Sequence, residues 1–431
     1  MFNIAVIGTG YVGLVTAVCL ADLGNKVICV DNDYKKIANL KKNIVPIFEP
    51  GLVELLQKNK KAKRIFFSHS IKEAAVKSEI IFICVGTPAN ADGGADLSAV
   101  EKVACEIAQV IKSYKVIVGK STVPALTGER IKQTILMKTQ GKIKFDVVSN
   151  PEFLREGQAI CDTMHPDRIV IGVESKHAEE IMTKLYKPLK SPMVVTNIQT
   201  AEIIKHACNS FLSTKISFIN AIANVCEKLG ADVGKVAQAM GLDKRIGREF
   251  LNAGIGFGGY CFPKDLDAFI HLAHNHGYNF ELLKIVRKIN DEQKSFFIKK
   301  ITEALWIVKN KNIGVLGLSF KPNTDDIRNS IAIEIIKILK DSGAKIKAYD
   351  PQAMPKAKSE IKGVKFCKTP YQAAQKSDCL LMMTEWEEFK KLDLFKIKKL
   401  LRQPIIIDGR NIFEPSVMKK LGFIYKCMGR C

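Results

Sequence analysis

The chain has no run of about 20 apolar residues, which excludes a membrane-spanning helix from its expected architecture. It also has no charged-then-apolar leader, because Phe2 to Ile7 reads at once as a strand; no secretory signal is expected, and the cytoplasm is the expected compartment. Cysteine spacing is irregular among the 12 cysteines, and Cys19, Cys29, Cys84 and Cys226 lie inside apolar runs, so reduced, buried thiols are expected in place of a disulfide framework. The tail pair Cys427 and Cys431 stands apart from that pattern. Acidic residues are scarce relative to basic ones, 44 against 66, for a formal charge of +22. The lysines and arginines are spread along the chain and build no recognisable nucleic-acid module, so the balance suits a polyanionic small substrate and no nucleic-acid partner is expected. His271, His274 and His276 close a helix before Gly277 without a cysteine or carboxylate at ligand spacing, so no metal is expected.

What is present begins at the N-terminus. Asn3 to Ile7 is a continuous apolar run, Gly8-Thr9-Gly10-Tyr11-Val12-Gly13 is a glycine turn, Leu14 to Leu23 is helical, and Lys26 to Val30 returns to strand before Asp31. Strand, GxGxxG, helix, strand and acidic residue together make a dinucleotide fingerprint. The glycines bring a pyrophosphate to the helix N-terminus, whose free N–H groups favour an anion. Asp31 would take the ribose hydroxyls and repel a 2′-phosphate, so NAD is expected over NADP. Further strands end in Gly86-Thr87-Pro88 and in Lys120-Ser121-Thr122-Val123-Pro124, which places Thr87 and Thr122 near the cofactor or a water; each could equally be a helix cap. A fourth strand, Asp146 to Ser149, leads into Asn150-Pro151-Glu152-Phe153-Leu154-Arg155-Glu156-Gly157. If the chain turns helical after Pro151, Glu152 and Glu156 share a face.

From Thr200 to Leu229 a helical pattern runs for about 30 residues and reads as a spine packed on several sides, including against a second subunit. Lys205 and Asn209, four apart on it, are polar among apolar positions and need partners. Downstream lies Gly256-Phe257-Gly258-Gly259-Tyr260-Cys261-Phe262-Pro263-Lys264-Asp265, where three glycines, a cation and a carboxylate surround one thiol. Neighbouring positive charge favours the thiolate, the nucleophilic form. The last third restarts the theme: Lys311 to Leu318 is a strand entering a glycine turn, a helix spans Ser330 to Leu339, and Lys345 to Tyr349 ends at Asp350. A longer connection through Lys321 and Arg328 replaces GxGxxG, so this domain should not bind NAD in the same way. Cys379 to Met383 and Ile405 to Ile407 are further strands, the latter ending in Asp408-Gly409-Arg410, and Lys321 and Arg410 would suit a pyrophosphate or sugar.

Taken together these motifs resemble the UDP-glucose 6-dehydrogenase family, within the wider group of nucleotide-sugar dehydrogenases. The resemblance runs from end to end, through Gly8 to Gly13, Val85 to Pro88, Ser121 to Pro124, Asn150 to Gly157, Lys205 with Asn209, Gly256 to Asp265, Phe320 to Arg328 and Ile407 to Arg410. Asp243 to Gly247, ahead of Phe250-Leu251-Asn252, looks like the glucose branch; a GDP-mannose or other nucleotide-sugar dehydrogenase is the alternative, and a non-catalytic nucleotide-binding protein a more distant one. The resemblance implies an α/β chain with two Rossmann-like doubly wound domains joined by a long central helix and a small helical dimerisation region. Its expected parts are an NAD-binding domain over 1–198, a linker and dimerisation region carrying the cysteine over 199–300, and a nucleotide-sugar domain over 301–431.

The same resemblance implies UDP-glucose as substrate, a homodimer, a place in polysaccharide biosynthesis, and oxidation of a primary alcohol to a carboxylate in two hydride losses. Cys261 would form a thiohemiacetal and then a thioester, Asp265 and a water on Thr122 would handle the first proton, Lys205 and Asn209 would face the oxyanion, and Glu152 would activate the hydrolytic water. Around NAD it implies Gly8, Gly10, Tyr11, Val12, Gly13, Asp31, Lys36, Thr87, Thr122, Glu156, Lys264 and Arg328. Around the sugar nucleotide it implies Glu152 through Arg155, Lys205, Asn209, Phe250, Leu251, Asn252, Gly254, Gly258, Lys321 and Arg410, with Arg245 reaching in from a neighbouring subunit.

Overall fold

A computed structural model describes residues 1–90 and 92–430, so Cys431 of the tail pair lies outside the described residues. The chain forms two compact units, Met1–Cys208 with Asp267–Tyr278, and Asn209–Leu266 with the chain from Asn279 onward. The division passes through two helices, Ile198–Leu229 and Cys261–Asn275.

The first unit is built on an eight-stranded sheet of β1 (Asn3–Ile7), β2 (Lys26–Val30), β3 (Ile65–Ser68), β4 (Ile80–Ile83), β5 (Lys115–Gly119), β6 (Phe145–Ser149), β7 (Ile169–Gly172) and β8 (Met193–Thr196). Their spatial order is β3-β2-β1-β4-β5-β6-β7-β8, parallel throughout except where β6 meets β7. Parallel strands are covered on both faces, and therefore read as unbroken apolar runs. Ile4 to Ile7 and Ile80 to Ile83 are buried accordingly. The chain travels outward from β1 to β3 and then returns to β4 on the other side of β1. That reversal opens a crevice beyond the carboxyl ends of β1 and β4, where doubly wound sheets take their ligands.

The second unit repeats the plan with β9 (Asn312–Leu316), β10 (Lys345–Tyr349), β11 (Lys365–Phe366), β12 (Cys379–Met382), β13 (Ile405–Asp408) and β14 (Ile424–Cys427), in the all-parallel order β11-β10-β9-β12-β13-β14. Its reversal lies between β9 and β12, so the Gly317–Arg328 connection, Met383-Thr384 and Gly409-Arg410 all emerge at one edge. Gly317 is required there: its φ is +97°, and an added Cβ would sit 2.5 Å from the Thr384 side chain. The second unit also holds most of the long helix and the Glu281–Leu305 helix.

The condition set on the segment after Pro151 is not met. No helix follows Pro151: the backbone stays irregular until Ala159–Met164, so Glu152 and Glu156 share no helical face. Local bonds win over helix formation. Glu152 folds back to accept the Leu154 amide at 2.6 Å, Asp162 accepts the Arg155 amide at 2.8 Å, and Gly157 turns left-handed at φ +82°. The spine is two residues longer at its start than its pattern indicates. β3, β7, β8, β11 and β14 are additional to the strands expected; β11 has two residues, and β8 exposes Val194 and Val195.

Candidate active site

At the first crevice, sterics account for two of the fingerprint glycines. A Cβ on Gly8 would lie 2.6 Å from the Cys84 carbonyl oxygen, and one on Gly13 would lie 1.9 Å from the Gly8 oxygen, so helix and strand close together only without side chains there. A Cβ on Gly10 would meet nothing within 4 Å; it would project into the room that a pyrophosphate needs. Gly10 stands at the N-cap of the Tyr11–Asp22 helix, whose first turn carries no acidic residue. Gly8, Gly10, Val30, Asp31, Lys36 and Gly86 line a cleft of about 370 Å³.

Asp31 Oδ2 accepts the Thr9 amide at 2.9 Å, the Thr9 hydroxyl at 2.6 Å and Lys36 Nζ at 3.1 Å, while Oδ1 accepts the Asp33 amide at 3.0 Å. Burial pushes this carboxyl up, but the bonds from Thr9, Asp33 and Lys36 outweigh it and hold the group below its ordinary range. An ionised acceptor thus faces a crevice with a glycine cradle, which fits the ribose and pyrophosphate of NAD. Lys36 qualifies the expectation drawn from Asp31 alone, because the carboxylate has a cation on it.

In the same unit Glu152 and Lys205 are both almost fully buried and pair at 3.0 Å. The partner that Lys205 demanded is therefore the carboxylate of the Asn150–Gly157 segment. Phe153 is stacked by Arg168 at 3.8 Å from its centroid, with Lys205 Nζ at 5.4 Å. Thr87 is buried and donates its hydroxyl to the Thr122 carbonyl at 2.8 Å, so it braces the Thr122 loop. Two side chains of the long helix hold that loop from the other side. Glu202 accepts the amides of Leu126 at 2.7 Å and Gly128 at 2.8 Å, and His206 Nε2 lies 2.8 Å from the Val123 carbonyl. Burial pushes the Glu202 carboxyl up to about 7. Lys120, also buried, donates to Asn150 Oδ1 at 3.0 Å.

In the second unit Cys261 begins the Cys261–Asn275 helix and so stands at the positive end of its dipole. Asp265, fully buried, accepts Asn209 Nδ2 at 2.6 Å and Lys264 Nζ at 2.7 Å. The amide on the spine thus meets the carboxylate one turn beyond the thiol. The glycines are again steric necessities: a Cβ on Gly258 would come 2.2 Å from the Asn329 oxygen, and one on Gly259, at φ +83°, would strike the Phe320 ring at 2.7 Å. Arg328 lies over the Tyr260 ring at 4.1 Å and pairs with Asp326. Arg410 donates to the carbonyls of Met383, Gly256 and Phe320 at 3.0, 3.2 and 3.3 Å, which ties the edge of the second sheet to the glycine stretch.

The remaining expected contacts are less concentrated. Arg155 and Arg245 are exposed and pair with Asp162 and Asp243. Phe250 is left-handed at φ +64°, Leu251 is buried, and Asn252 accepts Arg248 at 2.6 Å. Gly254 packs against Gly409, and its amide donates to the buried Asn220 at 2.8 Å. Lys321 Nζ lies 5.7 Å from the Phe320 ring centroid. Motif reading misses the amides that pin the cysteine stretch: Asn290 bonds both backbone groups of Phe257, and Gln293 takes the Gly254 carbonyl. A buried amide inside an amphipathic helix is the only signal they give. Asp350, read from the sequence as the end of the Lys345–Tyr349 strand, occupies the place of Asp31 but is fully buried and accepts the amides of Leu318, Ser319, Gln352 and Ala353, so no ribose could reach it.

The glycine fingerprint and its ionised carboxylate mark a NAD-dependent oxidoreductase. Three domains of one family match in sequence: the NAD binding domain over residues 2–190, the central domain over 199–292 and the UDP binding domain over 314–415. The chain belongs to the UDP-glucose/GDP-mannose dehydrogenase family. It is 50% identical to the UDP-glucose 6-dehydrogenase TuaD of Bacillus subtilis, over 100% of this chain and 94% of that one. It is 46% identical to the UDP-glucose 6-dehydrogenase of Rhizobium meliloti, over 99% of each. A UDP-glucose dehydrogenase structure from the archaeon Pyrobaculum islandicum superposes with a TM-score of 0.94 at 36% identity, covering 100% of this chain and 98% of that one.

Proposed function

We propose that this protein oxidises UDP-glucose to UDP-glucuronate, with two NAD reduced and one water consumed per sugar. The observation that carries the reading is the thiol of Cys261 at a helix start, one turn from the buried set of Lys264, Asp265 and Asn209. NAD, when bound in the first crevice, takes the hydride that leaves the sugar carbon in each oxidation. Asp265, with a water held on Thr122, receives the hydroxyl proton as the alcohol becomes an aldehyde. The Cys261 thiolate then adds to the aldehyde carbon, and Lys205 and Asn209 stabilise the resulting oxyanion. Loss of the second hydride leaves a thioester. Glu152 takes a proton from water as its oxygen attacks the thioester carbon; the C–S bond breaks, and the thiolate is restored with release of the carboxylate.

The glycine-rich wall from Phe250 to Gly258, with Lys321 and Arg410, holds the sugar nucleotide in this reading, and Arg245 extends it from a second subunit. The segments 1–198, 199–300 and 301–431 then serve cofactor, catalytic cysteine and nucleotide sugar in turn. A homodimer is supported by the long helix, where Phe211, Phe218, Val225 and Leu229 recur at near-heptad spacing and stay exposed. The cytoplasm is the proposed compartment, where a reducing setting matches the free state of the described cysteines.

The test is Cys261→Ser. A serine keeps an oxygen of similar reach with weaker nucleophilicity, so the variant should bind both substrates, lose steady-state turnover, and accumulate an ester or release traces of aldehyde. Intact-protein mass spectrometry after incubation with UDP-glucose and NAD would show the added sugar nucleotide. Undiminished NADH production at two per sugar would sink the assignment.

A further inference from the structure

Glu49 belongs to none of the motifs above, yet it is buried and its carboxylate joins two of them. Its Oε2 accepts the Tyr11 hydroxyl and the Gly157 amide, the latter at 2.6 Å, and its Oε1 accepts the Ala159 amide at 2.7 Å. The Gly157 amide is also 2.8 Å from the Tyr11 hydroxyl oxygen, which closes a three-membered network. Tyr11 belongs to the cofactor fingerprint, whereas Gly157 and Ala159 end the irregular segment that carries Glu152 and Glu156. The base of the joint is rigid, because the Glu49 carbonyl accepts the Leu52 amide at 3.2 Å and Leu52 and Leu56 are core residues of the next helix.

Packing alone does not require a carboxylate here. Tyr11, Ile47, Leu154 and Ile160 already lean on the same apolar cluster, and an anion taken out of water is costly unless its bonds repay it. Here the bonds come from two amides and a phenol. Burial and the Glu49 bond push the Tyr11 hydroxyl well above its ordinary range, so it remains a donor at any working pH. Gly157, at φ +82°, is the turn whose position the network sets.

We infer that Glu49 is a positioning residue that couples occupancy of the NAD crevice to the order of the Glu152–Ala159 segment through Tyr11. The functional consequence rests on the reading above, in which that segment supplies the base for thioester hydrolysis. The coupling itself does not.

Tyr11→Phe, Glu49→Gln and their double variant test it, with thermal unfolding to confirm the fold; Tyr11→Phe retains the ring and its packing. In the unaltered enzyme, NAD should slow amide hydrogen exchange across 152–159 by roughly tenfold or more. Each variant should lose most of that protection and bind NAD roughly tenfold more weakly, as expected for one bond to a charged group. The double variant should be no worse than either single one, because both cut the same link. Retained protection in Glu49→Gln, or additive losses in NAD affinity, would overturn the inference. Loss of protection with thioester hydrolysis at the unaltered rate would uphold the coupling and remove Glu152 from the hydrolytic step.

Discussion

Lys205 and Glu152 pair at 3.0 Å with each side chain about 5% exposed or less. Buried pairs are poor stabilisers when compared with apolar packing, yet breaking one strands a charge. Lys205→Ala should therefore do two separable things. Turnover should fall by roughly two orders of magnitude or more, the range for losing one oxyanion donor, while UDP-glucose still binds. Stability should also drop, by about 3–5 kcal/mol, because Glu152 is left without its cation. A Lys205→Met, Glu152→Gln double variant removes both charges and should regain most of the melting temperature but none of the turnover. Intact turnover with weakened UDP-glucose binding would make Lys205 a binding residue instead. The neighbouring case is Asp31, whose Oδ2 holds Lys36 at 3.1 Å. Asp31→Ala should release that ammonium toward a 2′-phosphate, so the preference for NAD over NADP should shrink; equal preference before and after, measured as kcat/KM on both cofactors, would deny Asp31 its role.

At the scale of elements, the long helix fastens the Thr122 loop and the start of the Thr127–Thr139 helix through Glu202 and His206. Gly128 marks how tightly they meet, since a Cβ there would lie 2.5 Å from an Ile198 methyl. Glu202 has a testable pH consequence. Its carboxyl is raised from 4.5 to about 7 in the folded state, chiefly by burial. Between those values the native protein keeps a proton that the unfolded chain has released, so the contribution of Glu202 to stability is fully present below pH 4.5 and is lost as pH rises through about 7. The linkage amounts to about 3 kcal/mol across that window. Glu202→Gln, which cannot titrate, should flatten the decline in thermal unfolding between pH 5 and 8. An unchanged slope would mean the carboxyl ionises normally.

For the whole molecule, the exposed stripe of the long helix is the feature with the clearest consequence. Phe211 and Phe218 are 64% and 49% exposed, and Leu282 and Ile285 on the Glu281–Leu305 helix are exposed as well. Apolar surface of this kind on a chain that is otherwise strongly basic favours burial against a second copy. Phe211→Asp with Phe218→Asp should convert a two-chain species into one-chain species, as measured by light scattering after size exclusion. A mass that does not change, or an unaltered protein that is already a single chain, would dismiss this face as the interface.

The amino-acid sequence by itself determined the α/β class, the central strands of both sheets and the cofactor fingerprint. Covered positions of parallel strands are apolar, so Asn3–Ile7, Lys26–Val30 and Lys345–Tyr349 are legible to the residue despite the lysines in two of them. The fingerprint and the cysteine stretch are legible for a similar reason, because only glycine tolerates the close approaches at Gly8, Gly13 and Gly258. Tertiary structure alone decided the partners. That Lys205 meets Glu152 and that Asn209 meets Asp265 depends on contacts between residues 53 and 56 positions apart in the chain, which no local pattern records. It also decided against a helix after Pro151, where the bonds that hold Glu152, Arg155 and Gly157 include donors and acceptors as distant in sequence as Glu49. Asp350 makes the same point from the opposite side: like Asp31 it ends the second strand of its sheet, but four backbone amides and complete burial turn a ribose ligand into a structural anchor. Local patterns record what a backbone needs from its own residues, whereas the protonation, exposure and task of a side chain are set by neighbours that only the folded chain supplies.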